Sequence, residues 1–201
     1  MRWDEQWIYK IVEFQFTEID KAIKNKDDIV VLTESAFPLI LNNEGLLIQR
    51  LKLLSKKITI VLGSIYKADD GYYNANYYFI DGDYQVARKV FLVPFGEEIP
   101  FPQFLTDLIN EIFYNGANDY KKAESFFDIE IKGVKFRNAI CFEATVDELY
   151  HDAPDYIIAS SNNGWFKPSI EPTLQNLLIR FYAKKYNKII YHSANMGVDL
   201  D

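Results

Sequence analysis

Two dipeptides, Asp81-Gly82 and Lys132-Gly133, each stand between runs of strand-forming residues, and they constrain the fold more than any other feature of the chain. Glycine accepts the positive φ of a tight hairpin turn, so each dipeptide folds one strand back on the next. The first hairpin is "YYNANYYFIDGDYQVARKVFLV" and the second "DIEIKGVKFRNAICFE". Four more apolar runs, "DDIVVLTES", "ITIVLGSIY", "DYIIASSN" and "KIIYHSAN", read as buried strands. Helical patterns lie between them. Ile8, Ile11, Val12, Ile19, Ala22 and Ile23 recur at helical spacing, "NNEGLLIQRLKLLSKK" is amphipathic, and Leu174, Leu177, Leu178 and Phe181 mark a third helix face. Helices alternating with strands and hairpins predict a layered α/β fold of mixed strand direction, and exclude an all-helical or all-β chain.

With 201 residues and neither repeat nor linker, residues 1–201 read as a single domain. A net charge of -7 argues against a nucleic-acid partner, which needs a basic face. The single cysteine excludes an internal disulfide. The start, "MRWDEQWIYK", is charged where a signal peptide is apolar, and "IVVLTESAFPLIL" is broken by Glu34 and Pro38, so the chain reads as soluble. With no Gly-rich phosphate loop and no metal-ligand spacing, neither a cofactor nor a metal is expected.

Three polar residues fall where a strand gives way to a loop: Glu34 after "IVVLT", Lys89 after "QVAR", and Cys141 in "NAICFE". Strand ends are where α/β sheets build sites. A carboxylate can deprotonate a thiol, while a lysine lowers the thiol pKa and stabilises the oxyanion of a tetrahedral intermediate. Acyl transfer through a thioester is the chemistry such a set performs. Singly, each residue is more often structural: a core thiol, an ion-paired carboxylate, a solvated lysine. His151 lies in the charged "DELYHDAPD" and His192 at a strand end. Neither stands in a protease-like signature with Cys141.

The words around the three residues carry more. "LTESAFP", "KVFLVPFGEEIPFP", "ICFE" and "SNNGWFKPS…Q", in that order, resemble the carbon-nitrogen hydrolase (nitrilase) superfamily and, within it, the apolipoprotein N-acyltransferases. "LVPFGE" and "SNNGWF" point to the acyltransferase branch. The resemblance runs from about residue 5 to the end. It implies a nitrilase-like α-β-β-α sandwich with Glu34 as general base, Lys89 as oxyanion-stabilising lysine and Cys141 as nucleophile. It further implies that Glu97 orients the lysine and base, that Glu143 supports the nucleophile, and that Trp165 shapes the site. The Phe142 backbone N–H, just after that nucleophile, is expected to be a second oxyanion donor. The implied reaction moves an acyl group from a phospholipid to Cys141, then to the α-amine of a diacylglyceryl-cysteine on an apolipoprotein, without metal or cofactor. The parent protein is expected in the bacterial inner membrane with this domain in the periplasm.

The family carries transmembrane helices ahead of this domain. The chain is therefore expected to be a fragment of a longer membrane protein, lacking the first strand and the C-terminal strands, with open edges that favour self-association. Phe104, Leu105, Leu108, Ile109, Ile112 and Phe113 form one stripe, read from pattern as a helix packed on the sheet and from the family as an arm dipping into the bilayer. Two other functions fit the same residues: a soluble amidase passing the acyl group to water, and a catalytically silent fragment acting as a binding module.

Overall fold

The computed structural model describes residues 5–93, 97, 120–166 and 169–195. Helix α1 (Glu5–Asn25) leads into the short strands β1 (Ile29–Val31) and β2 (Phe37–Ile40), then helix α2 (Gly45–Leu54). Strands β3 (Thr59–Ala68), β4 (Gly71–Ile80) and β5 (Asp83–Arg88) complete the first sheet, in which β1 and β2 both pair parallel with β3 while β3, β4 and β5 run antiparallel. The second sheet is β6 (Asp128–Ile131), β7 (Val134–Ile140), β8 (Tyr156–Asn162) and β9 (Ile189–Asn195), antiparallel across β6–β7 and parallel beyond. Helix α3 (Glu171–Lys185) joins β8 to β9.

Side chains alternate across a strand, so each sheet of a sandwich needs two apolar faces. Ile60 and Leu62 of β3 and Tyr77 and Phe79 of β4 pack with Val12, Phe16 and Ile19 of α1. Their neighbours Val61 and Tyr78 turn the other way and meet Ile129, Phe136 and Ile158 of the second sheet. On the far face of that sheet, Ala139, Ile157 and Ala159 pack against Ile179 of α3. The order of layers is therefore α-β-β-α, and each fully buried large side chain contributes about 2–3 kcal/mol.

The interface between the sheets also holds a buried polar chain. Asn76 Nδ2 and the Tyr78 hydroxyl both donate to Asn138 Oδ1 (2.7 and 2.8 Å), and the Ser160 hydroxyl donates to Asn76 Oδ1 (2.9 Å). It pins β4 to β7 and β8 just beneath the ends of those strands.

Both hairpins turn at the glycine dipeptides read from sequence. A further hairpin joins β3 to β4 through Asp69-Asp70, and β2 forms in spite of Pro38; neither carries a clear local signal. The first strand is three residues long and half-buried rather than buried. The third helix forms, but Leu174, Leu177, Leu178 and Phe181 face outward, 42–59% exposed, while Pro172, Gln175 and Ile179 are buried. The stripe from Phe104 to Phe113 lies outside the described residues. No described helix is long and apolar enough to cross a membrane.

Candidate active site

Glu34, Lys89 and Cys141 follow the C-terminal ends of β1, β5 and β7, which the two sheets bring to one end of the sandwich. All three are buried, Lys89 completely. Burial alone would lower the Lys89 pKa, but the charges of Glu34, Glu97 and Cys141 override it and hold the ammonium well above its usual range. Its Nζ lies 2.6 Å from Glu97 Oε2 and 3.7 Å from Glu34 Oε1. Both charges reach the Cys141 thiol, Glu34 acting to raise its pKa and Lys89 to lower it.

Sequence reasoning places a lowered pKa on the thiol, and the structure reverses this. Burial first, and the Glu34 charge second, push Cys141 up to about 12, against the opposing pull of Lys89. The resting group is therefore a thiol rather than a thiolate. Cys141 also sits at φ +53°, a left-handed conformation costing an L-residue about 1–2 kcal/mol. The turn thus breaks from the strand direction at the sulfur-bearing residue.

Glu34 is held as firmly. Asn74 Nδ2 donates to Glu34 Oε1 at 2.8 Å and to Glu97 Oε1 at 2.7 Å, and the Asn162 backbone N–H donates to Glu34 Oε2 at 2.8 Å. The turn that carries Glu34 presses on β3: a Cβ at Gly63 would stand 2.6 Å from Glu34 Cα and 2.7 Å from Ser35 N. Only glycine lets this turn lie so close.

Glu143 does not join the Lys89 cluster. Fully buried, its Oε1 accepts the backbone N–H groups of Val90 (2.5 Å) and Phe91 (3.1 Å), and its Oε2 that of Ile140 (2.7 Å). Burial raises its pKa to about 7, opposed by Lys89 and by these donors. It ties the segment after Lys89 to the residue before Cys141. Phe142 follows Cys141 in the turn Cys141–Thr145. The Trp165 side chain lies outside the described residues. His151 pairs with Asp147 and Tyr186 on the surface, and His192 with the Ser161 hydroxyl.

Asn74, Gly63 and Gln175, whose Nε2 lies 3.6 Å from Cys141 Sγ, escape a reading by residue type. The signal for Asn74 was the repeat "YNAN", amides alternating on a strand otherwise aromatic. A cavity of about 750 Å³ opens beside Glu34, walled by Asn74 and Asn162 and by Trp7, Phe14 and Phe37.

No family model matches the chain. It is 42% identical over 196 residues to the apolipoprotein N-acyltransferase of Wolinella succinogenes, and 36% identical over 199 residues to that of Helicobacter pylori. These alignments take in 97% and 98% of the chain and 47% of each relative, so it spans about half the length of the curated relatives it matches. Among solved structures, the carbon-nitrogen hydrolase of Helicobacter pylori superposes with a TM-score of 0.74 at 17% identity, covering 96% of this chain and 70% of that one. An amidase from a Nesterenkonia species, with acrylamide added at its active-site cysteine, superposes with a TM-score of 0.65 at 10% identity, covering 93% and 72%. Sequence and fold agree, and the chain belongs to the apolipoprotein N-acyltransferase family, with the fold of the carbon-nitrogen hydrolase superfamily.

Proposed function

We propose that residues 1–201 form a single acyl-transfer domain of a longer lipoprotein N-acyltransferase, with Glu34 as base, Lys89 as oxyanion stabiliser and Cys141 as nucleophile. The observation that carries this reading is the convergence of three buried groups, the Cys141 thiol within reach of the charges of both Glu34 and Lys89, which lie 3.7 Å apart.

Glu34 takes the thiol proton as Sγ attacks the ester carbonyl of a phospholipid. The C–S bond forms, the oxyanion gathers against Lys89 and the Phe142 N–H, and collapse expels lysophospholipid, which takes the proton from Glu34. An α-amine of a diacylglyceryl-cysteine then attacks the thioester, yielding an amide and returning the thiol. Glu97 and Asn74 keep Lys89 and Glu34 in register, and Glu143 fixes the loop that holds Cys141; Trp165 shapes the acyl site. The apolar wall of the cavity beside Glu34 supports a lipid substrate. The membrane of action is the bacterial inner membrane, with the domain on its periplasmic side. The outward stripe of α3 and the edge strand β9, where Ile189 and Tyr191 are exposed, support self-association of the isolated chain.

The test is intact-mass analysis after incubation with p-nitrophenyl butyrate, then with a diacylglyceryl-cysteine peptide. An adduct on Cys141, absent in Cys141→Ala and Glu34→Gln and discharged onto the peptide amine, is expected. Discharge to water alone would make the domain a hydrolase, and no adduct would make it catalytically silent.

A further inference from the structure

Gln175 lies on the buried face of α3, which packs on the turn carrying Cys141, and is only 3% exposed. Its amide nitrogen donates to Cys141 Sγ at 3.6 Å, within the range of a bond to sulfur. The other end of the same amide, Oε1, is buried and has no hydrogen-bond partner among the described residues. Buried carbonyl oxygens are almost always satisfied, so an orphan beside a nucleophile calls for a donor from elsewhere. The donor must be a group that reaches the sulfur during turnover.

Thioester chemistry supplies such a group only in its second half. The phospholipid ester brings acceptor oxygens, which a carbonyl oxygen repels. A primary amine approaching the thioester carbon, one bond from Sγ, brings N–H donors. Glu34 can take one proton; a second N–H is left to be held.

From this geometry we infer that Gln175 is the catalytic residue that receives the acyl acceptor: its amide nitrogen holds Sγ, and Oε1 takes one N–H of the attacking amine. The inference rests on the proposed thioester route and names the group that steers it toward amines. In the step concerned, the amine nitrogen bonds to the thioester carbon and loses one proton to Glu34. The C–S bond breaks, the sulfur leaves with its electron pair, and Glu34 returns the proton to it. Gln175 gains and loses nothing; it fixes the direction of attack.

The test compares the chain with Gln175→Leu, which keeps volume and burial and loses both ends of the amide, and with Gln175→Glu, which keeps an acceptor oxygen. Cys141 is loaded with p-nitrophenyl acetate and the adduct is discharged with S-methylcysteine methyl ester or with water alone. Whatever its loading rate, Gln175→Leu is expected to show a ratio of aminolysis to hydrolysis at least tenfold below the parent's; Gln175→Glu is expected to recover part of that ratio. An unchanged ratio of aminolysis to hydrolysis in Gln175→Leu overturns the inference. If the parent chain takes up no acetyl group, the thioester route fails for this chain, and Gln175 is judged by protection instead. The same amine should slow alkylation of Cys141 by iodoacetamide in the parent and not in Gln175→Leu. Equal protection in both, or none in the parent, overturns it.

Discussion

Asn74 and Lys89 are tied twice: the Lys89 backbone N–H donates to the Asn74 carbonyl oxygen at 2.9 Å, and their side chains reach the same two carboxylates, Glu34 and Glu97. Replacing the amide therefore disturbs Glu34 and Lys89 together. Asn74→Ala should lose about 2 kcal/mol of stability in urea unfolding, since hydrogen bonds to charged groups are the stronger kind. Asn74→Asp should lose more, because a third carboxylate then faces two others. Both should lower acyl loading of Cys141 at least tenfold. Loading at the parent's rate in Asn74→Asp would show that the pairing plays no part in the chemistry.

Glu97 is the carboxylate whose loss most directly isolates Lys89. Glu97→Gln should cost about 3 kcal/mol, the lower part of the range for breaking a buried pair, because Glu34 remains within reach. Chemical denaturation reads this directly, and a change below about 1 kcal/mol would mean that Glu34 alone satisfies the ammonium.

The buried Glu143 carboxyl gives a pH signature. Its folded pKa of about 7 exceeds the ordinary 4.5, so the folded state binds this proton more tightly than the unfolded chain. The stabilisation is complete below pH 4.5 and is lost as pH rises through about 7, amounting to roughly 3 kcal/mol. Glu143→Gln should be weaker overall, because an amide cannot accept all three backbone donors, yet its stability should lack this fall between pH 4.5 and 7. Parallel profiles for parent and variant would place the titration on another group.

Glu34 acts on the Cys141 thiol in two opposed ways. Its charge helps hold the thiol near 12, so Glu34→Gln should bring the thiol pKa down by about 1 unit or more while abolishing acyl loading at neutral pH. Ultraviolet absorbance of the thiolate, titrated between pH 8 and 12, checks the first half. A midpoint that stays or rises in Glu34→Gln would detach the carboxylate from the sulfur.

Gly63 tests how tightly Glu34 is placed. The atoms that a new Cβ would meet are backbone, so Gly63→Ala must push the Glu34 turn away from β3, at about 2 kcal/mol. Gly45, which opens α2 with nothing within 4 Å, is the control: Gly45→Ala should stabilise by about 0.5–1 kcal/mol. Loading of Cys141 should fall in the first variant and not in the second.

What the sequence disclosed and what it hid divide along a physical line. The hairpins at Gly82 and Gly133 were legible because a turn is decided by the residues within it. The grouping of Glu34, Lys89 and Cys141 was legible only through the words around them, since each alone reads as structural; the structure brings the three to one end of the sandwich. The outward face of α3 was not: Leu174, Leu177, Leu178 and Phe181 have the spacing of a buried stripe, and only the position of the second sheet puts Gln175 and Ile179 inward instead. Asn74 and Gly63 were hidden for a related reason. Each acts on a residue carried by another part of the chain, and no local pattern records that neighbour. The raised thiol pKa could not be foreseen either, because spacing gives the lysine but not the depth of burial.

The two sheets divide the chemistry between them. The first carries Glu34, Asn74 and Lys89; the second carries Cys141 and Asn162, with Gln175 on the helix behind it. A ribosome therefore delivers the carboxylate and the ammonium well before the sulfur. The later half alone has the thiol without the carboxylate. The three groups meet only when the sheets close on each other, a closure that Asn76, Asn138 and Ser160 fasten, so on the proposed route the fold itself is the safety catch that keeps an immature chain unreactive.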